Sequence, residues 1–402
     1  METLVQHLNI NSKHFLVIIE HLRSAGGKAR LVGGVVRDVL AGITNSDVDI
    51  ATDLLPEQVI NVLAQHNIKV IPTGIKFGTV TAIIKGESFE ITTLREDFDC
   101  NGRHASVKYS NDFAQDAARR DFTINALSYC PITNTIYDYF GGIADLKAGR
   151  VVFIGDAKAR ITEDYLRILR FFRFSCRFAK TIDQESLAAC IEAKGFLAQL
   201  SRERIKSEMD SLLKLQKNPS IMSIMFEHGI LQEIFTIKQY DEQLHLRALK
   251  MADDFDYPLN LIVTYSLLFL QENDITVDKL LQWKFSRVEA KTIMKLLALK
   301  QFDLKLLSTK LKDIWLEELE YAQYFIFAAV INANHHFIRE LYSQLKTKKI
   351  PIMPVNGNDL LVLGHSGKKL GDLMNLLKNK WIESDFTLDQ AALINSVKDS
   401  EK

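Results

Sequence analysis

The apolar and polar positions change period near residue 150. Before it, short apolar runs alternate with polar positions and are cut by glycines, the pattern of strands joined by turns and short helices. After about Val152, strand signals nearly vanish and apolar residues recur at helical spacing to the C-terminus. The fold class that follows is α+β. A head with a mixed sheet covers residues 1–150, an all-α neck rich in arginine covers 151–215, and an all-α body and tail cover 216–402.

Within the head, Phe15–Ala25 reads as a helix leading into a strand over Ala29–Val32. The stretch Leu31–Ile50 continues as strand, glycine turn, short helix and a second strand. The run TDLLPEQVINVLAQH is helical, with Thr52 or Asp53 as its N-cap. Strands follow at Thr79–Ile84 and, after a Lys85-Gly86 turn, at Phe89–Leu94. Asp97–Asp116 is polar and turn-rich and reads as a loop, long enough in a compact domain to suggest a function. Arg119–Ser128 then opens a helical stretch, and Thr135–Phe140 is a last strand closed by Gly141-Gly142.

Composition narrows the class. With 402 residues and 47% hydrophobic content the chain can bury cores in two or more domains. Its 50 basic and 50 acidic residues cancel, so any RNA site must be a local basic face. Cys100, Cys130, Cys176 and Cys190 are scattered without a C-x-x-C, which indicates neither a zinc site nor a disulfide framework. The N-terminal METLVQHLNINSKHF lacks a leader pattern, and the most apolar stretch, Leu259–Leu270, is too short to cross a membrane. The expectation is a cytoplasmic protein with no membrane contact.

The chemistry concentrates around Leu31–Ile50. Gly33-Gly34 permits a sharp turn and a close backbone approach. Such a turn at a helix start exposes N–H groups suited to phosphate, and Arg37 can add a fork of donors. Asp47 and Asp49, two apart on a strand, point the same way, and like charges held together call for a cation between them. Oxygen-only ligands suit Mg²⁺, which commonly takes one or two carboxylates plus substrate phosphates. A lone D-x-D is usually a solvated strand end. G-G-x-x-R-D followed by D-x-D within about fifteen residues is far harder to obtain by accident.

That combination resembles the signature of polymerase-beta-type nucleotidyltransferases. The branch is class II, which holds CCA-adding tRNA nucleotidyltransferases and bacterial poly(A) polymerases. The resemblance covers residues 30–210 with four motifs in the family's order, and more loosely the rest. It implies a polymerase-beta-like head, with Asp47 and Asp49 holding Mg²⁺ and Glu90 as a third acid. In Arg119-Arg120-Asp121-Phe122-Thr123-Ile124-Asn125 it implies that Arg120 sits on the triphosphate and Asp121 on the ribose hydroxyl. In Glu163–Arg173 it implies an amino-acid template. Asp164 would accept from the exocyclic amino group of cytosine or adenine, Arg167 would donate to the ring nitrogen, and Glu163 would orient Arg167. Arg170 and Arg173 would serve triphosphate or primer, and Gly34 and Arg37 the phosphates.

Uracil and guanine turn a carbonyl toward the carboxylate, so one acid–base pair of side chains would admit CTP and ATP alone. Ser201–Glu208 resembles the family's neck segment and carries no catalytic role. Lys346, Lys348, Lys349 and Asn356–Met374, with Lys368 and Lys369, resemble a tRNA-contacting tail; a plain helix–turn–helix connector is equally consistent. His335-His336 lacks a following aspartate, so no phosphohydrolase module is signalled.

The implied activity is template-independent addition of CCA to tRNA 3′ ends from CTP and ATP, by two-metal nucleotidyl transfer. The implied partners are tRNA and the two nucleotides, with no protein partner. Poly(A) polymerases share the head but usually carry an R-R-F-x-x-x-H-V stretch. The corresponding Gly74–Thr81, GIKFGTVT, has the form associated with CCA enzymes. CC-only enzymes tend to shorten the loop before R-R-D, and Arg95–Ala118 is full length. A-only enzymes and a catalytically silent tRNA binder stay open as well; the intact acids at 47 and 49 speak against the last.

Overall fold

The computed structural model describes residues 13–43, 47–101, 104–215, 220–318 and 320–400. Residues 1–12, where the sequence lacks a leader pattern, lie outside them, as do 216–219 beside the boundary read near 215. By compactness the chain divides into two units, Met1–Thr236 and Ile237–Lys402. The head and all helices up to Phe235 therefore share one unit.

The first unit is built on a seven-stranded sheet of order β3-β4-β5-β2-β1-β8-β9. Its strands are β1 (Ala29–Val32), β2 (Asp49–Thr52), β3 (Lys69–Gly74), β4 (Thr79–Ile84), β5 (Glu87–Thr93), β8 (Ser128–Cys130) and β9 (Thr135–Tyr137). Only β2 and β5 run parallel, so the sheet is mixed. Period-two burial gives it one apolar face. Leu31, Ile50, Val80, Phe89 and Ile91 join Phe15, Ile18, Ile19 and Leu22 of α1 (His14–Ser24) and Val59 and Leu63 of α3 (Pro56–Gln65) in one core. The short α2 (Gly34–Leu40) adds Val35 and Val36.

Three local expectations change. The N-cap of α3 is Leu55 with Pro56 at the first position, because Thr52 stays in β2 and the Asp53 carboxylate accepts from the Lys28 N–H at 2.6 Å. The first part of the Asp97–Asp116 stretch, read as loop, belongs to a two-stranded antiparallel ribbon of β6 (Arg95–Asn101) and β7 (His104–Tyr109). HASVKY over 104–109 does alternate polar with apolar residues, a short strand signal inside an otherwise polar, turn-rich stretch. The helix placed at Arg119–Ser128 comes earlier, as α4 (Phe113–Ala118). A single 3₁₀ turn over Thr123–Asn125 follows and runs into β8.

Past the sheet come α5 (Gly142–Ala148), α6 (Ala157–Glu163), α7 (Leu166–Phe178), α8 (Gln184–Ala193), α9 (Arg202–Leu213), α10 (Ser220–Glu227) and α11 (Ile230–Phe235). The second unit is all helical among its described residues. Its most buried helix, Ala322–Ile331, is apolar on every side, as the sequence AQYFIFAAVI requires. Toward the C-terminus, Val355, Leu360, Leu373, Leu377, Trp381 and Leu393 close a small core of their own. Among the described residues, no helix is long and apolar enough to cross a membrane.

Candidate active site

The site lies on the sheet face opposite the main core. Leu31 and Ile50 point into that core, so Val32, Asp49 and Ala51 point away from it. Val32, Ala51, Leu94 and Phe113 form a second small cluster that seats α4 on this face.

The glycine turn opens the site. Gly33 has φ 65° and ψ −118°, and its N–H donates to Leu127 O at 2.9 Å. The turn needs glycine for its backbone conformation, and a Cβ there would stand 2.6 Å from Arg120 Nη1, the flexible end of a side chain that would have to shift. Gly33→Ala is expected to destabilise the protein by about 1–3 kcal/mol and to raise the KM for nucleotide as Arg120 is pushed aside. Thermal unfolding and nucleotide kinetics on one preparation check both.

Arg37 lies beneath the turn. Its Nε donates to Asp38 Oδ1 at 2.7 Å and its Nη1 to Asn125 Oδ1 at 2.5 Å, while Nη2 lies 2.6 Å from Asp38 Oδ1. Burial pulls its pKa below the ordinary arginine value despite Asp38. Three of its five donors are thus spent inside the protein. Arg37 is a buried strut of the turn more than the free fork the sequence suggests.

The two acids straddle the start of a strand. β2 begins at Asp49, and its ladder with β1 runs from Ala29↔Thr52 to Leu31↔Ile50. Asp47 lies just before the strand and is exposed, near enough to Asp49 for its charge to raise the Asp49 pKa. The neighbour in register with Asp49 is Glu90 of parallel β5. Flanked by the core residues Phe89 and Ile91, Glu90 faces the same side as Asp49. Burial, then the Glu90 charge, push the Asp49 pKa up to about 6; Asp47 adds to this and Arg120 opposes it. Among the described residues no three His, Cys, Asp or Glu side chains form a ready-made metal cage. The donors are nonetheless all oxygens whose repulsion a hard cation relieves. Asp47 and Asp49 with substrate phosphates suffice for Mg²⁺, so the residues fit that ion.

Asp121 is held by a β-bridge between Phe122 and Phe153, with Ile154 N donating to Asp121 O at 3.0 Å. Gly142 presses so close to Thr123 that a Cβ would stand 2.2 Å from its carbonyl oxygen. The Thr123 hydroxyl donates to Asp145 at 2.7 Å. Asp121 Oδ1 accepts from Phe122 N and Asn125 Nδ2, both at 2.9 Å. Its Oδ2 takes Arg170 Nε at 2.7 Å and Nη2 at 2.6 Å. Burial raises the pKa of this carboxyl, but Arg170 and the hydrogen bonds outweigh burial and hold it below the usual carboxylate range. All four lone-pair positions are taken, so a sugar hydroxyl reaching Asp121 must displace part of the Arg170 fork.

The Glu163–Arg173 stretch is two helices, not one. Asp164 stands in the break between α6 and α7 with extended backbone, φ −157° and ψ 106°. Its Oδ1 accepts from Leu166 N at 3.1 Å, capping α7, and its Oδ2 from Arg204 Nη2 at 2.6 Å. Arg167 Nη1 donates to Glu163 at 2.5 Å and to Arg160 O at 2.8 Å, and its Nη2 to Arg119 O at 3.2 Å. Asp164 keeps acceptor positions, and Arg167 keeps Nε and one Nη2 hydrogen. Arg173 Nε donates to Glu208 at 2.7 Å, and Arg170 also approaches Glu208, at 3.7 Å.

A cavity of about 550 Å³ brings these groups together. Of the residues singled out in the sequence, Gly34, Arg37, Asp49, Arg120, Asp121, Asp164, Arg167, Arg170 and Arg173 line it. Asp47, Glu90 and Glu163 do not, although Glu163 holds Arg167 and Glu90 flanks Asp49. Arg119, Asn125, Phe174 and Arg204 also line it and had no assigned role. Arg204 belongs to the neck segment Ser201–Glu208, to which no catalytic role was given; the sequence shows nothing of the partner it meets across 40 residues.

A family model described as "Poly A polymerase head domain" matches residues 29–152. A second, described as "Probable RNA and SrmB- binding site of polymerase A", matches 181–243. The mitochondrial CCA tRNA nucleotidyltransferase 1 of Mus musculus is 33% identical over 92% of this chain and 86% of its own. The CCA-adding enzyme of Lactococcus lactis is 30% identical over 95% and 94%. The solved Bacillus stearothermophilus CCA-adding enzyme in complex with CTP is 26% identical, with a TM-score of 0.78 over 100% of this chain and 99% of that one. With likeness of this extent, on a mixed-sheet head that brings an acidic centre and a basic helix into one cavity, the chain belongs to the family of CCA-adding tRNA nucleotidyltransferases.

Proposed function

We infer that this chain adds C, C and A to the 3′ end of tRNA without a nucleic-acid template, taking CTP and ATP and releasing pyrophosphate. The observation that carries the reading is that Asp49, Asp164 and Arg167 line one cavity. A base at 164/167 and a phosphate at the acids can thus belong to one nucleotide.

In this reading the Asp164 carboxylate accepts from the amino group of cytosine or adenine while Arg167 donates to the adjacent ring nitrogen. Glu163 and the Arg119 carbonyl aim Arg167; Arg204 and Leu166 N aim Asp164. The ribose hydroxyl takes a position on Asp121, and the displaced Arg170 turns toward the triphosphate beside Arg120 and the Gly33-Gly34 turn. The tRNA 3′-oxygen attacks the α-phosphorus, the bond to the β-phosphate oxygen breaks, and pyrophosphate leaves. Glu90 is the candidate for taking the hydroxyl proton, supported by its register beside Asp49. Asp47 and Asp49 would hold Mg²⁺, which when bound supplies activation of the 3′-hydroxyl and charge stabilisation on the leaving pyrophosphate. The helical unit after residue 237, with Lys346, Lys348, Lys349, Lys368 and Lys369, is the candidate for holding the body of tRNA.

The acidic centre carries a pH signature. Below about 6 the Asp49 carboxyl takes up a proton and stops being an anionic ligand. Mn²⁺ affinity, read by calorimetry as a probe of the Mg²⁺ site, is expected to fall about tenfold per pH unit below 6 and to level off above it. Without metal the sign for stability is opposite. The folded pKa lies above the unfolded value of 3.8, so this group's contribution is full below about 4 and lost as pH rises through about 6. A metal affinity flat from pH 5 to pH 8 would count against Asp49 as a ligand.

Incubation with tRNA ending before CCA, with each labelled nucleotide separately and together, tests the activity. Two C residues from CTP alone, one A after them, and then a stop are expected. A long A ladder would identify a poly(A) polymerase, C alone or A alone a partial enzyme, and no addition with Mg²⁺ a silent binder.

A further inference from the structure

Asp116 stands outside every motif named above, yet it is among the most buried charged groups of the head, 4% exposed. It belongs to α4, which is fixed at its start in two ways. Asp112 caps it by accepting from Ala114 N at 2.8 Å. The Arg30 guanidinium lies 3.9 Å from the Phe113 ring centre and 3.4 Å from that of Tyr137, tying Phe113 to β9. At its other end the Asp116 carboxylate takes two arginines. Arg119 Nε donates to Oδ1 at 2.8 Å, with Nη2 also 2.8 Å away, and Arg120 Nη2 donates to Oδ2 at 3.2 Å. Both arginines line the cavity.

The pair does more than present two cations. The backbone carbonyl of Arg119, the residue that ends α4, accepts from Arg167 Nη2 at 3.2 Å. The Arg119 fork closes the last turn of α4 onto Asp116 and so fixes where this carbonyl points. Without the fork, the N–H of Arg120 to Ala117 O, at 3.2 Å, is the next local tie. Arg120 Nη1 meanwhile reaches Asn125 O at 3.3 Å, in the turn that supports Asp121 and Arg37.

We propose that Asp116 is a positioning residue for base selection: through Arg119 it aims the carbonyl that orients Arg167, and through Arg120 it sets the phosphate-facing side of the same cavity. It touches neither base nor phosphate. The proposal rests on the reading of Asp164 and Arg167 as base-recognising residues. Burial raises the Asp116 pKa, but Arg119 and Arg120 outweigh burial and hold the carboxyl below the usual range, so it remains an anion at any working pH.

The test is equilibrium binding of CTP and UTP to the full chain, without tRNA, for wild type, Asp116→Asn, Arg119→Met and the double variant. Circular dichroism and thermal unfolding accompany each. Asp116→Asn keeps shape and burial but removes the charge that holds both guanidinia. It is expected to reduce the preference for CTP over UTP about tenfold, and Arg119→Met by a similar factor. The double variant should lose little more than either alone, because the two act through one path. Asp116→Glu is expected to restore part of the preference. If Asp116→Asn does not fold, Arg119→Met, whose side chain is partly exposed, carries the test. A CTP preference unchanged in Arg119→Met, or losses that add fully in the double variant, would overturn the proposal. A wild type with no preference for CTP would overturn it together with the base-recognition reading.

Discussion

Asp49→Ala is expected to lower nucleotide addition by a factor of about a thousand or more while the folded protein melts no lower than wild type. The carboxylate is half-buried on the open face of the sheet, with Glu90 beside it and Asp47 near. Its pKa, raised to about 6, means that the fold resists its charge. An acid held against its own stability is the signature of a group kept for a ligand. Removing it relieves repulsion and, on the proposed reading, removes the anionic centre where the cation and the reacting phosphate meet. Labelled CTP on tRNA lacking CCA measures the first effect, and a thermal scan without metal the second. A variant that lost activity only in proportion to lost folded protein would make Asp49 structural.

The second large effect is on base choice. Asp164→Ala is expected to reduce discrimination of CTP against UTP by about a hundredfold, since two unfavourable arrangements of about 1–3 kcal/mol each are involved. Cytosine loses the acceptor for its amino group. Uracil is freed from a carboxylate facing its carbonyl, and Arg204, which now donates to Asp164 at 2.6 Å, is left with a free donor near that spot. Arg167→Ala should blur choice from the other side. Glu163 would still hold Arg160, at 3.0 Å, so the end of α6 keeps an ion pair. Single-turnover incorporation of CTP, UTP, ATP and GTP into one tRNA primer measures both. The predicted pattern is a change in the ratio between bases larger than the change in the fastest rate.

The sequence carried these groups unevenly. The turn at Gly33-Gly34, the order of the motifs and the change of period near 150 were legible because each is local: a φ that only glycine takes easily, a spacing, a periodicity. Asp164 was legible as a residue but not in its setting. A charged, helix-friendly run reads as continuous, and nothing in EDYLR announces a break that Asp164 itself caps. Asp47 was legible as a neighbour of Asp49, but not its place just before the strand. Where β2 begins, and that Glu90 of β5 stands beside Asp49, depend on neighbouring strands that a period-two argument on one strand does not contain. The 95–109 ribbon carried its signal in one short alternating run, HASVKY, within a polar stretch. Asp116 and Arg204 were invisible as site residues because their importance lies in partners, Arg119 and Arg120 for one and Asp164 for the other. Arg37 shows the converse: a cation well placed in sequence for phosphate is mostly spent inside on Asp38 and Asn125.

The account rests on one nucleotide bridging the acidic centre and the 164/167 pair. A crystal structure with CTP and a divalent cation tests this most directly. It should place the cytosine amino group and ring nitrogen within about 3 Å of Asp164 and Arg167, with the triphosphate against Asp49 and the Gly33-Gly34 turn. A cytosine whose edge faces solvent, or a triphosphate bound away from Asp49, would contradict it.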